Sequence, residues 1–444
     1  MKERVLLLLF VLLAFTGCAE DDRIEWPPTG QPTEGRTLIY YMVCDNDLSG
    51  YIYKNLMQAA GTEIRNPNDR VVAFIDHASK GTVLSTEPQI IQFDGNGYHR
   101  ILKTYPEGNS CDPAFFREVL DYIIAAFPSQ SYGLVLSSHG SGWSYDVESS
   151  AKSFGGDYLS VNEKGYMIDP RFINIKSLAE QLPLKFEFIL FDACLMANAE
   201  VAYELKDKAN YLLASTITIS GKGFAYDTIQ PYLLINTDAG LKSAADWFYN
   251  YYANSGNSSG AAVSVLDLSQ IAGLASVQNE LFDKYKVTGS LLQSVKKEGV
   301  IVDMRLNGKS FATIPFYDEI WANRYCYDYL DFMKTLLGAD ADANDLKKLS
   351  DQLNKVVIHQ QHTNRFNIAA TVTNEKFVIE ENELIEGGSN GIYSINMEQS
   401  SGLSTYIPFA QFFDADERYI INHNYYKQLG WYGVSGIDKL FSGQ

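Results

Sequence analysis

Short apolar blocks and longer amphipathic stretches alternate along most of this chain. TLIYYMV (37–43), RVVAFI (70–75), QIIQF (89–93), YGLVLSS (132–138), FEFILF (186–191) and YLLAS (211–215) are runs of strand length, rich in β-branched and aromatic residues. Between them, PAFFREVLDYIIAAF (113–127) and NAEVAYELKDKA (198–209) carry their apolar residues at helical spacing. Continuous apolar strands separated by amphipathic helices predict an α/β fold, with a mostly parallel sheet covered on both faces.

From residue 286 onward the pattern changes. YDEIWANRYCYDYLDFMKTLL (317–337) predicts one helix with a core-facing stripe of Tyr317, Trp321, Tyr325, Tyr329, Phe332 and Leu336. ADADANDLKKLSDQL follows with Asp340 and Asp342 as helix-start acids, and GIYSINM and LSTYIPF predict strands near the end. The expected organisation is a signal segment (1–17), a tether (18–36), an α/β domain (37–285) and an α+β region (286–444) packed on it.

The first residues predict export. Lys2 and Arg4 precede an apolar run from Val5 to Phe15, too short to span a bilayer, and Thr16-Gly17-Cys18 follows. Small residues before a cysteine resemble a bacterial lipobox, which makes Cys18 the expected lipidated residue and the membrane the expected partner of the N-terminus. Ala19, where an aspartate would signal retention at the inner membrane, favours the outer membrane of the cell envelope, with the face unassigned. Residues 19–36 mix Pro, Gly and charge without periodicity and read as an extended tether. No later stretch is long and apolar enough to cross a membrane.

Composition narrows the function classes. The chain has 54 acidic and 36 basic residues, a formal charge of −18, and such a surface repels polyphosphates and argues against a nucleic-acid partner. After Cys18 only Cys44, Cys111, Cys194 and Cys326 remain, too few and too widely spaced for a disulfide scaffold. At least one free thiol is expected.

In an open parallel sheet, reactive side chains gather where the strands end at their carboxyl edge. Two apolar blocks end in reactive residues: YGLVLSS runs into His139-Gly140-Ser141-Gly142-Trp143, and FEFILF runs into Asp192-Ala193-Cys194. If these strands are parallel neighbours, imidazole and thiol share one rim. An imidazole beside a thiol favours the thiolate and can later protonate a leaving amine, so the pair is a minimal acyl-transfer engine. Gly140 lets its N–H approach a substrate carbonyl, and the Cys194 N–H would be the second oxyanion donor. A histidine 55 positions upstream of a cysteine that follows an acid and precedes a helix matches a caspase-like layout.

SSHGSGW (137–143) and LFDACLMANAEVAYEL (190–205) resemble the histidine and cysteine boxes of clostripain-type peptidases, within the caspase-like clan. TLIYYMVCDNDL (37–48), SGKGFAYD (220–227), GLSTYIP (402–408) and LGW (429–431) resemble further landmarks of that family. The resemblance implies a caspase-like three-layer α/β sandwich with a C-terminal α+β extension. It also implies a Cys194–His139 dyad without an obligatory third member, protein or peptide substrates, and cleavage after Arg or Lys; a monomer is expected. Asp192 is the matching pocket acid; a hydrogen-bonded strand-end acid is the other reading of it. Ser215 and Thr216 fall in the same pocket, and Thr216 stands where many relatives carry an acid. Members of the family often mature by cleavage between the two boxes, which makes Lys152 the candidate cleavage site, with an ordinary loop lysine as the other reading.

The chemistry needs no cofactor, although the family's association with calcium makes Ca²⁺ a candidate without assigned ligands. Asp45-Asn46-Asp47-Leu48-Ser49-Gly50 mimics the start of an EF-hand loop, but position twelve is Leu56, so the segment reads as a turn and helix cap. His359 and His362 lack a nearby Cys or acid to complete a zinc set. The rival functions are a catalytically silent surface binding lipoprotein with a peptidase fold and a cysteine acyltransferase using the same dyad.

Overall fold

The computed structural model describes residues 33–77, 87–144, 153–161, 167–254, 260–297, 300–310, 327–371, 384–385, 390–408 and 417–441. Cys18, Lys152 and Cys326 lie outside these residues, as do Tyr317, Trp321 and Tyr325 of the expected aromatic stripe.

Each of the six apolar blocks forms a strand of one sheet. β1 (Thr33–Cys44), β2 (Arg70–His77), β3 (Gln89–Phe93), β4 (His99–Thr104) and β5 (Ser129–Ser137) come first. A separate antiparallel sheet of β6 (His139–Gly140), β7 (Phe154–Val161) and β8 (Met167–Ile173) interrupts, and β9 (Phe186–Asp192), β10 (Ala209–Ala214) and β11 (Ala262–Asp267) return to the main sheet. Beyond a three-stranded unit of β12 (Leu292–Lys297), β13 (Val300–Leu306) and β14 (Lys309–Ser310) and the short β15 (Tyr327–Asp328), β16 (Val357–His362) joins as an edge strand. The main sheet has nine strands in the order β16-β11-β10-β9-β5-β1-β2-β3-β4. Its five central strands are parallel, and an antiparallel pair flanks them on each side.

Strand periodicity divides the buried side chains between two cores. Along β1, Ile39, Tyr41 and Val43 face one core, and Leu38, Tyr40 and Met42 face the other. The first core is covered by α2 (Pro113–Ala126), α3 (Ile175–Gln181), α4 (Ala199–Leu205) and α7 (Ile271–Lys284). The second is covered by α1 (Ser49–Gly61), α5 (Tyr226–Leu233) and α6 (Thr237–Asn254). The three layers follow directly from strands that are apolar on both faces.

Two expected helices differ. The stretch 198–209 is helical only to Leu205, because Ala209 already pairs with Phe186 in the sheet. The single helix expected over 317–337 is broken at Tyr327–Asp328, which is extended. Asp328 caps α8 (Tyr329–Leu337) by accepting from the N–H groups of Leu330 and Asp331, both at 3.0 Å, and its second oxygen accepts from the Ser401 N–H at 2.7 Å. A buried acid that closes two segments at once outweighs the helical periodicity. Tyr329, Phe332 and Leu336 are buried as the stripe requires, and Asp342 caps α9 (Ala343–Val356).

The C-terminal elements are bolted to the sheet. β17 (Arg365–Thr371), β18 (Leu384–Ile385) and β19 (Asn390–Asn396) form a small antiparallel sheet, and β20 (Ser404–Thr405) pairs with β15 and bridges to Asn198. Glu200, fully buried in the first turn of α4, accepts from Thr405 Oγ1 (2.9 Å), the Tyr406 N–H (3.1 Å) and Tyr426 Oη (3.0 Å), the last on α10 (Glu417–Tyr426). Three donors converging on a carboxyl that burial raises above its usual range make this junction specific.

Candidate active site

β5 and β9 are parallel neighbours in register, with Ser137 opposite Asp192. His139 and Cys194 each lie two residues beyond that pair, so they leave the same edge of the sheet on adjacent chains, about 4.8 Å apart in a regular sheet. His139 turns into β6 and pairs with Gly155. Gly140 follows with its backbone against that of Cys194: a Cβ there would stand 2.6 Å from the Cys194 carbonyl oxygen and 3.2 Å from its nitrogen. Only glycine permits this approach, which brings the two candidate oxyanion amides to one place.

Cys194 is half-buried, and its sulfur accepts from the Ile219 N–H at 3.3 Å. A backbone donor aimed at sulfur is a contact that a thiolate strengthens. The next residue, Leu195, holds φ of 64° while its N–H bonds the Ile217 carbonyl at 3.0 Å. A leucine in the left-handed region costs about 1–2 kcal/mol, and here that cost accompanies the turn that carries the thiol away from the strand. Asn198 completes the turn: its Nδ2 donates to the Leu195 carbonyl at 2.8 Å and its Oδ1 caps α4.

The imidazole has a partner the sequence reading missed. Asp47 Oδ1 lies 2.8 Å from His139 Nε2. That hydrogen bond holds the Asp47 carboxyl below its usual range despite partial burial. A carboxylate only accepts, so Nε2 carries the proton and Nδ1 is the ring nitrogen that faces away from Asp47. Asp47 is held by its neighbour: Asn46 Nδ2 donates to the carbonyls of Val43 (3.1 Å) and Gly156 (2.9 Å), and its Oδ1 accepts from the Leu48 N–H at 2.9 Å. The segment 45–50 is thus the expected turn but not the expected side-chain cap, since Leu48 is the N-cap of α1 and its own side chain caps none of that helix's N–H groups. The available signal was an acid in the turn after β1, a strand adjacent to β5.

Asp192 is 5% exposed and faces inward. Its carboxylate accepts from Tyr226 Oη at 2.8 Å and from the Phe224 N–H at 3.3 Å, and burial, only partly offset by these donors, pushes it up to about 6. Ser215 and Thr216 are also buried, and Ser215 Oγ accepts from the Ile217 N–H. None of the three lines the open cleft beside the imidazole. That cleft, of ≈ 390 Å³, runs from Asp47 along α1 to Lys222 and Gly223 and on to Trp247 of α6. All three are enclosed, and the chain's own Phe224 and Tyr226 donate to the acid.

The remaining candidates are structural. His359 Nε2 pairs with Asp246 Oδ1 at 2.7 Å, tying β16 to α6. Leu56 is buried in α1. Among the described residues no three His, Cys, Asp or Glu side chains converge to hold a metal ion, and Cys44, Cys111 and Cys194 are free thiols. No helix among them is long and apolar enough to cross a membrane.

Comparison with known proteins places this geometry. The clostripain family profile matches residues 40–382. Clostripain of Hathewaya histolytica is 24% identical over 218 residues, a match that covers 44% of this chain and 41% of clostripain itself. A secreted C11 cysteine protease from Bacteroides thetaiotaomicron, solved with an irreversible peptide inhibitor, superposes with a TM-score of 0.68 at 23% identity, over 90% of this chain and 99% of its own. An inactive zymogen C11 protease from Parabacteroides distasonis does so with a TM-score of 0.63 at 25% identity, over 91% of this chain and 99% of its own. The fold is the caspase-like α/β sandwich of these proteins, and with a family match spanning both boxes and the sheet that carries them, the chain belongs to the clostripain family, peptidase family C11.

Proposed function

We propose that the protein is an exported cysteine endopeptidase in which Cys194 is the nucleophile and His139 its proton-handling partner. The observation that carries this is the placement of both residues, and of the Gly140 and Cys194 amides, at the ends of two paired parallel strands. His139 Nδ1 takes the thiol proton while Asp47 holds the imidazole by Nε2. The thiolate attacks the scissile carbonyl, and the developing oxyanion is met by the N–H groups of Gly140 and Cys194. The C–N bond breaks as the imidazolium returns its proton to the leaving amine. Water, deprotonated by the same imidazole, then hydrolyses the thioester.

Cleavage after Arg or Lys rests on Asp192 alone, whose carboxylate already accepts from two internal donors. Processing after Lys152, lipidation at Cys18 and an outer-membrane location belong to the same proposal and rest on sequence. Ca²⁺ stays a candidate of this proposal, with no ligands assigned. Fluorogenic peptides ending in Arg or Lys, turned over under reducing conditions with calcium present, test the core claim against Cys194→Ala. Thiol-dependent turnover in the wild type alone is expected, and its absence would leave the silent binding protein. Transfer of the acyl group to an added amine in preference to water would instead identify an acyltransferase.

A further inference from the structure

The cleft beside the imidazole differs in character from the rest of the molecule. In a chain of formal charge −18 it is lined by two lysines, Lys54 of α1 and Lys222, and by one acid, Asp47, whose carboxylate is engaged by His139. Both lysines are exposed, and neither has an ion-pair partner among the described residues. Three aromatic rings complete the walls. Tyr51 and Tyr251 are 47% and 43% exposed, well above the other tyrosines of the α1 and α6 faces, and Tyr251 stacks on Trp247 at 5.0 Å and 19°.

The wall that carries Lys222 is also the strap that touches the nucleophile. Its first residue, Ile219, donates to Cys194 Sγ, and Asn55 Nδ2 holds the Lys222 carbonyl at 3.0 Å. Tyr252 Oη holds the Gly223 carbonyl at 2.7 Å, and Gln58 Oε1 accepts from the Tyr226 N–H at 3.2 Å. A strap fixed at four points presents a rigid surface, and Ile219, which contacts the thiol, lies three positions before Lys222 on it. Rigid walls, unpaired cations and stacked rings are the elements of a site for an anionic side chain with an extended stem.

We infer that this cleft is a substrate subsite taking an acidic side chain, Asp or Glu, from the segment flanking the scissile bond, with Lys54 and Lys222 as its specificity-determining residues. The inference rests on the peptidase reading above and adds the substrate charge class. It departs from a purely basic preference: the substrate segment would be one that carries a carboxylate near the bond cleaved.

Internally quenched peptides of one sequence, with Glu, Ala or Lys placed in turn at each of the two positions on either side of the scissile bond, are compared on full-length wild type and on Lys54→Glu/Lys222→Glu. Glu at one of these positions lowers KM about fivefold relative to Ala in the wild type, the size expected of two exposed ion pairs. Charge reversal removes that ratio or turns it in favour of Lys. Equal KM for Glu and Ala peptides at every position, or a Glu advantage that survives charge reversal, overturns the proposal. Should no peptide be turned over, the peptidase reading has failed and the subsite is decided by binding to Cys194→Ala, read as the fluorescence change that Trp247→Phe abolishes. A Glu-to-Ala Kd ratio near one there overturns it as well.

Discussion

At the scale of single residues, the site depends on which atoms are engaged and which are left free. Asp47 is exposed, so its bond to His139 adds little stability, yet it decides the tautomer and heading of the imidazole. Asp47→Ala is expected to lower kcat about 10²-fold with KM nearly unchanged, because a misaimed base is lost in the transition state and not in substrate binding. Asp47→Asn should restore part of that loss, since an amide oxygen can accept the same bond. A kcat for Asp47→Ala within twofold of wild type would remove Asp47 from the mechanism. Gly140 carries a comparable demand of a different kind. Any Cβ there would press on the Cys194 carbonyl at 2.6 Å, so Gly140→Ala should abolish turnover while Cys194 still reacts with a small alkylating reagent. Loss of alkylation together with turnover would show general disruption instead.

At the scale of elements, the two reactive boxes are held by the C-terminal region. Trp143, which closes the histidine box, is fully buried and packs on Tyr406 and Tyr426 with ring centroids 4.8 Å away in each case. Tyr426 also donates to Glu200 on α4, the helix that follows the cysteine box. The aromatic cluster thus clamps both boxes from one side, and the loops after β5 and β9 cannot shift independently of it. Trp143→Ala should cost about 3–5 kcal/mol of unfolding free energy, measured as a lower denaturant midpoint with an unchanged slope. A cost below 1 kcal/mol would mean that the cluster is dispensable packing. The same arrangement makes the region beyond residue 285 part of the sheet through β16 and part of the site through β20.

At the scale of the whole molecule, buried acids set the pH at which the fold is most stable. Burial pushes Asp192 up to about 6, and burial together with repulsion from neighbouring acids raises Asp76 and Asp157. A carboxyl raised in the folded state holds a proton that the unfolded chain has released, so stability is full below the unfolded value and falls as pH rises through the folded one. Acting the other way, burial lowers His423 to about 4, so its contribution is lost as pH falls below the ordinary histidine value, and the lowered Asp47 weakens at still lower pH. Thermal midpoints should therefore rise as pH falls from 8 toward about 6 and decline below about 5. Asp157→Asn should flatten the upper part of that curve, and a midpoint that rises steadily to pH 8 would contradict the assignment. Much of this molecule was legible in its sequence because strand and helix periodicities are local: six apolar blocks became six strands of one sheet, and the residues that end β5 and β9 met because parallel neighbours share an edge. The helix boundary at Asp328 was not legible, since that carboxylate caps a helix and bonds Ser401, 73 positions away. Asp47 against His139, the enclosure of Asp192 by Tyr226 and the lysine-lined cleft likewise join segments far apart in the chain. The sequence by itself determined the sheet and the two reactive strand ends, whose signals lie within a few residues. Only the tertiary structure decided which acid bonds the imidazole, which acid is enclosed, and what charge lines the cleft beside them, because those depend on long-range proximity that no local pattern encodes.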